Sequence, residues 1–215
     1  MSKAVNFKVI DTSAWSRREI YNHFSDNRNF PFYCVSFNVE IQNLYEFCKR
    51  TGTGVYHTMI WCGSRACNAV GAFRQRIVDG KVVEYDRVFP SYTFLPAGED
   101  AFRICTLDAG MDSGRFDRIA REAERKQVSL FPETDIPPEP LVFISCLPWI
   151  ETTCITNERN IDRNESHPAI AWGKFRKNAD GTIVQNISVD VNHRLVDGYH
   201  IGLFGKHLQE IINEL

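Results

Sequence analysis

The 215-residue sequence predicts an α/β protein, built as an α+β two-layer sandwich in which a mixed, largely antiparallel sheet is covered by helices. Three observations predict it. Two Asp-Gly turns, Asp79-Gly80 and the end of Asn178-Ala179-Asp180-Gly181, each part short runs of strand character, the signal of antiparallel hairpins. Leu141-Val142-Phe143-Ile144-Ser145-Cys146-Leu147 is apolar almost throughout, as a central strand is. At the end of the chain, Ile201, Phe204, Leu208, Ile211, Ile212 and Leu215 recur with a period near 3.6, which marks a helix.

The remaining elements follow in order. A first helix is expected over residues 13–24, with Ser13 as its N-cap because a serine oxygen can accept from the open amides of the first turn. Residues 30–38 alternate enough for a strand. Helices are expected at 40–50 and 55–70, parted by Thr51-Gly52-Thr53-Gly54; the second is apolar nearly all round and should lie deep in the core. Strands Phe73–Ile77 and Lys81–Tyr85 flank the first Asp-Gly turn, and residues 91–107 hold further strand material. Met111–Arg125 reads as an amphipathic helix. Four prolines between Phe131 and Pro140 forbid helix and favour an extended crossing. Strands 168–177 and 182–191 flank the second turn.

Length and composition narrow the function classes. No repeat or flexible linker divides the chain, so residues 1–215 are read as one domain. Apolar residues make up 43% and charged residues 24%, the profile of a soluble globular protein. A formal net charge of −2 gives no reason to expect a nucleic-acid or membrane-surface partner. No apolar run reaches the length of a membrane span, and the first residues form no export signal. The seven cysteines include no C-x-x-C pair, so reduced thiols in the cytoplasm are expected.

The chemistry concentrates in Ser188-Val189-Asp190-Val191-Asn192-His193-Arg194-Leu195-Val196-Asp197-Gly198-Tyr199-His200. An alternating strand ends at His193, a short turn closes on Asp197-Gly198, and the last helix begins. A histidine there is held by rigid elements yet reachable, which suits a general base if its second ring nitrogen is tied down. Alone, a histidine at a strand end is more often an ordinary surface or core residue, and Asp-Gly is most often just a turn. A metal site of His193, Asp197 and His200 matches no usual zinc spacing, so no metal is expected.

The segment His193-Arg194-Leu195-Val196-Asp197-Gly198 resembles the H-x-x-x-D-G of chloramphenicol acetyltransferases and of dihydrolipoyl acyltransferase catalytic domains, which share a fold. Three further segments are similar to the first family: Trp15-Ser16-Arg17-Arg18-Glu19, Leu130-Phe131-Pro132, and Ile144-Ser145-Cys146-Leu147-Pro148-Trp149. Four such motifs in family order are specific where one would not be.

The resemblance implies an O-acetyltransferase that moves the acetyl group of acetyl-CoA, its cosubstrate, to a hydroxyl of chloramphenicol or a similar small acceptor, an antibiotic-resistance activity. It implies His193 as the base and Ser145 as hydrogen-bond donor to the oxyanion. Asp197 paired with Arg17, with Asn192 beside the base, would support the site. Phe24, Phe30, Phe32 and Phe131 would line the acceptor pocket. Trp149, Lys174 and Phe175 would lie towards CoA, although an exposed hairpin lysine is an equally good reading of Lys174. The family implies a homotrimer with active sites between subunits.

The sequence departs from the family pattern at several places, one of them Phe30-Pro31-Phe32, where two bulky rings replace the family's L-P-C stretch. Asn192 replaces a histidine, Phe24 a pocket tyrosine, Gly54 a lysine aimed at the CoA phosphate, and Ala171 a threonine near the oxyanion. The alternatives are a free-standing relative of the dihydrolipoyl acyltransferases with another acceptor, and a ligand-binding relative without turnover.

Overall fold

The structure is a computed structural model that describes residues 5–160 and 162–215, so the leaderless reading of residues 1–4 lies outside it. In chain order the elements are β1 (Phe7–Val9), α1 (Arg18–Ser25), β2 (Phe32–Glu40), α2 (Gln42–Thr51), α3 (Val55–Ala69), β3 (Gln75–Val78), β4 (Lys81–Tyr85) and β5 (Phe89–Phe94). There follow β6 (Arg103–Thr106), α4 (Ser113–Lys126), β7 (Leu141–Leu147), β8 (Ala169–Gly173), β9 (Arg176–Lys177), β10 (Ile183–Asn192) and α5 (Gly198–Asn213).

Seven strands form the main sheet in the order β2-β10-β8-β7-β5-β6, with the short β9 paired to β10. β7 is parallel to β5 and β8, and the other pairs are antiparallel, so the sheet is mixed and largely antiparallel as expected. A smaller antiparallel sheet has the order β1-β4-β3. Its hairpin turn holds Asp79 and Gly80 at φ 49° and 72°, the left-handed pair that a two-residue turn of this type requires.

Side chains alternate across a strand, so the main sheet has two unlike faces. Val142 and Ile144, Ile170 and Trp172, and Ile187, Val189 and Val191 share one face and are buried in a core completed by Ile60 and Cys67 of α3 and Phe204 and Leu208 of α5. α3 is buried on most of its surface, in keeping with its all-round apolar pattern. The opposite face is small and polar at one level: the register sets Ser145, Ala171, Ser188 and Ser36 side by side across four strands. Among the described residues no helix is long and apolar enough to cross a membrane.

Some boundaries differ from the sequence reading. α1 begins at Arg18, not at residue 13, and no side chain caps it. Ser13 instead gives its N–H and its hydroxyl to the Asp11 carboxylate, at 2.9 and 2.6 Å. That local bond competes with helix initiation and holds the segment in turns. Phe73 lies in a tight 3-10 turn, Gly71–Arg74, and its ring stacks on Phe204 at 5.1 Å rather than joining a strand. The expected strand 168–177 is interrupted between β8 and β9. There Gly173 meets the 150–152 segment so closely that a Cβ would fall 2.6 Å from the Ile150 carbonyl. α4 starts two residues late, where the Asp112 side chain accepts from the Arg115 N–H at 2.9 Å. β1 had no sequence expectation.

Candidate active site

His193 follows the last residue of β10, and its backbone is clamped from two sides. Its N–H donates to the Pro31 carbonyl at 2.6 Å, and its own carbonyl accepts from Arg17 Nη2 at 3.3 Å. The imidazole lies between two rings, Phe24 and Tyr33, each with its centroid 4.4 Å away. Nδ1 stands 3.1 Å from the Val196 carbonyl, which can only accept, so Nδ1 carries the hydrogen and Nε2 keeps its lone pair. Nε2 has no hydrogen-bond partner among the described residues. Burial, and secondarily the Asp197 charge, push the Tyr33 hydroxyl up to about 12, so this ring stays neutral.

Asp197 caps α5 and pairs with Arg17. Its carboxylate accepts from the N–H groups of Tyr199 and His200 at 3.1 and 3.4 Å and from Arg17 Nη1. Burial alone would raise the Asp197 carboxyl, but the Arg17 guanidinium outweighs it and holds the group below its ordinary value. His200 completes a capping box, its Nδ1 accepting from the Asp197 N–H at 3.2 Å. Burial lowers the His200 imidazole. Among the described residues no cluster of three metal-ligating side chains forms. Asn192 is buried and faces away from the imidazole. It donates to the carbonyls of Arg163 and Glu165 at 3.0 and 2.9 Å and accepts from the Arg194 N–H.

Ser145 lies in the middle of β7, on the polar face, with its hydroxyl 3.2 Å from that of Thr93 on β5. Both line a cavity of ≈ 640 Å³. Phe131, 64% exposed, stands on its wall, with Phe102 and Phe143. The same cavity is also lined by Asn157, Glu158, Arg159, Asn160, Glu165 and His167. Arg159 Nη1 donates to Glu165 at 2.5 Å, His167 Nδ1 stands 2.6 Å from the same carboxylate, and the His167 ring packs on Phe143 at 4.9 Å. Burial would raise the Glu165 carboxyl, but the bonds from His167 and the Arg159 charge bring it down to about 2.

His193 and Ser145 therefore occupy separate places in one chain. Ser145 is level with Ala171, and Ala171 with Ser188, two strands across; His193 lies five residues further along β10. With strands about 4.8 Å apart and about 3.3 Å per residue, the two Cα atoms are roughly 19 Å apart, beyond the reach of their side chains. Of the four phenylalanines named from the sequence, Phe24 belongs to the His193 half and Phe131 to the Ser145 half. Phe32 is buried beneath the Arg159 guanidinium, and Phe30, exposed, meets it edge-on at 5.1 Å.

Trp149, 68% exposed, projects just beyond β7. The Lys174 N–H donates to the Ile150 carbonyl at 2.7 Å, which ties the two segments together, and the exposed Lys174 lines a small cleft with Arg176. Phe175 is half-buried and meets Tyr45 edge-on at 5.6 Å. Gly54 gives its N–H to Asp117 at 2.9 Å, and any Cβ there would lie 3.0 Å from Asp117 and Arg121. Ala171 is buried between Ser145 and Ser188 and offers no hydroxyl.

Sequence reasoning missed Tyr33, Thr93 and the polar wall from Asn157 to His167. Thr93 had a signal, since it alternates with Ser91 on one strand; Tyr33 was visible only through the pairing of β2 with β10.

The family model described as chloramphenicol acetyltransferase matches residues 5–209. The chain is 31% identical over 211 residues to a chloramphenicol acetyltransferase of Staphylococcus aureus, covering 96% of each. A solved chloramphenicol acetyltransferase superposes with a TM-score of 0.79 at 24% identity, covering 98% of this chain and all of that one. A dihydrolipoamide acetyltransferase of Azotobacter vinelandii gives 0.67 at 16%, over 91% and 86%, and so shares the fold.

Proposed function

The chain belongs to the chloramphenicol acetyltransferase family and is an acyltransferase, and from that premise we propose that residues 1–215 act as one cytoplasmic catalytic domain that moves the acetyl group of acetyl-CoA to a hydroxyl of chloramphenicol or a similar small acceptor. The observation that carries this reading is the state of His193: Nδ1 is tied to the Val196 carbonyl and Nε2 is left bare. A base whose tautomer and orientation are fixed before substrate arrives needs no reorganisation during reaction.

In the proposed reaction the acceptor oxygen attacks the thioester carbonyl carbon while Nε2 takes its proton. The carbonyl oxygen becomes an oxyanion, to which Ser145 donates a hydrogen bond. As the intermediate collapses the carbon–sulfur bond breaks, and His193 returns the proton to the CoA sulfur. The products are the acetyl ester and free CoA. Arg17 and Asp197 act on the loop, holding the His193 carbonyl and the start of α5. Trp149, Phe175 and Lys174 face the CoA side in this reading, with Lys174 and Arg176 supplying positive charge for phosphate.

The separation of about 19 Å between His193 and Ser145 within a chain supports a site assembled from two copies. A contact that joins the His193 face of one copy to the Ser145 cavity of the next is head-to-tail, and three copies close it into a ring. Release of free thiol from acetyl-CoA in the presence of a hydroxyl acceptor tests the reading. Turnover by the wild type that vanishes in His193→Ala is expected; equal turnover in both contradicts it.

A further inference from the structure

The Ser145 cavity combines aromatic rings with polar side chains, and that combination identifies an acceptor. Its lining includes the exposed aromatic rings Phe102, Phe131 and Phe143, with Phe143 41% exposed. The same lining carries amide and carboxylate groups that have hydrogen bonds left to make within one chain. The Glu158 carboxylate and the Asn160 side-chain N–H₂ have no partner among the described residues. Asn157 uses its N–H₂ on Asp190, at 3.5 Å, and keeps its oxygen free. The lining also holds two hydroxyl pairs, Ser145 with Thr93 and Ser91 with Thr106 at 3.0 Å.

The charges in this lining are unequal. Arg159, its side chain only 10% exposed, is its one arginine or lysine, and it already faces two carboxylates, Glu165 at 2.5 Å and Asp190 at 3.8 Å. Glu165 also holds His167. Glu158 is left as unbalanced negative charge at the opening. An anionic ligand would meet the Glu158 and Glu165 carboxylates, while the Arg159 guanidinium is already shared between Glu165 and the buried Asp190. A mostly apolar ligand would dehydrate the free amide and carboxylate groups without replacing their hydrogen bonds, which is where a polar site discriminates most strongly.

From these features we infer that the cavity takes a polyhydroxylated ring compound of sugar size, uncharged or bearing an amine, in preference to an aryl acceptor such as chloramphenicol; this deepens the acetyl-transfer reading and rests on Ser145 marking the reacting centre. The C–H face of such a ring packs on Phe131 and Phe143. Its hydroxyls reach Asn157, Glu158 and Asn160, and one hydroxyl remains directed at the Ser145 end. A volume of ≈ 640 Å³ suits a ligand of this size.

Calorimetric binding to full-length His193→Ala, which needs no turnover, tests the inference apart from the catalysis. The probes are glucosamine, N-acetylglucosamine, glucose 6-phosphate and chloramphenicol. At least tenfold tighter binding of glucosamine or N-acetylglucosamine than of the other two is expected. Asn157→Leu keeps the backbone N–H that bonds Asp190 at 3.0 Å, so the fold is retained; it should bring the ratio to chloramphenicol down at least tenfold. Chloramphenicol as the tightest ligand, binding by none of the four, or a ratio unmoved by Asn157→Leu each overturns the inference. Sugar binding without acetylation by the wild type would uphold the acceptor class and contradict the catalytic reading instead.

Discussion

Replacing Asp197 separates two roles that its carboxylate combines. It caps α5 through the N–H groups of Tyr199 and His200, and it pairs with Arg17, whose side chain is 11% exposed. Asp197→Ala removes both. Loss of a helix cap costs about 1 kcal/mol. Breaking a buried ion pair from one side costs about 3–5 kcal/mol; Asp197 is a quarter exposed, so about 2–3 kcal/mol applies here. The sum is about 3–4 kcal/mol, which for a chain of this length lowers Tm by about 10 °C. Asp197→Asn keeps an oxygen on the cap and loses only the charge, so it should recover about 1 kcal/mol of that. Urea unfolding followed by circular dichroism, at one protomer concentration, measures all three proteins. In the cycle with Arg17→Ala the two changes should couple by about 2 kcal/mol. Additive losses, or an Asn variant no better than the Ala variant, would refute the division into cap and ion pair.

Ser145→Ala should lower kcat by about 10²–10³ with little change in KM, because the hydroxyl is needed most where charge develops; a raised KM with unchanged kcat would make it a binding group instead. Gly173→Ala drives a methyl group to 2.6 Å from the Ile150 carbonyl and should cost about 1–3 kcal/mol in urea unfolding; an unchanged midpoint would place the 150–152 segment elsewhere. His57 joins α3 to α4, with Nδ1 2.7 Å from Asp117 and Nε2 2.8 Å from Glu124. Burial would lower its imidazole, but the two carboxylates outweigh it and raise it. A raised imidazole contributes stability that is complete below the unfolded value of about 6.5 and is lost as pH rises through the folded value. The urea midpoint should therefore fall between neutral and alkaline pH more steeply in wild type than in His57→Gln; parallel curves would remove His57 as the cause.

The parts of the fold that were legible in the sequence are those fixed by local chemistry. The Asp79-Gly80 turn and the period of α5 each depend on neighbours within a few residues, and both fall where the sequence placed them. The start of α1 was not legible, because Ser13 had a choice between capping a helix and bonding Asp11, and only the folded turn decides it. β1 is three exposed residues whose reason for being extended is the edge of β4. The candidate site divides in the same way. His193, Arg17 and Asp197 follow from motif order, and the ion pair forms between them. Tyr33, which covers the imidazole, reaches it through cross-strand register. The cavity wall from Asn157 to His167 lies in a loop without periodicity, and it becomes a wall only because β7 and β8 run parallel and the chain between them must cross back over the sheet. The charge of Glu158 and Arg159 was visible in the sequence; that they face a cavity was not.

The central claim is that His193 and Ser145 act together although one chain holds them apart, and mixed oligomers test it most directly. His193→Ala and Ser145→Ala are unfolded together in equal amounts, refolded, and assayed for thiol release from acetyl-CoA with an acceptor that the wild type turns over. In a ring of head-to-tail contacts, one site in four pairs an intact histidine with an intact serine from the next copy, so about a quarter of wild-type activity is expected. Activity no greater than the mean of the two variants refolded separately would contradict a site shared between subunits.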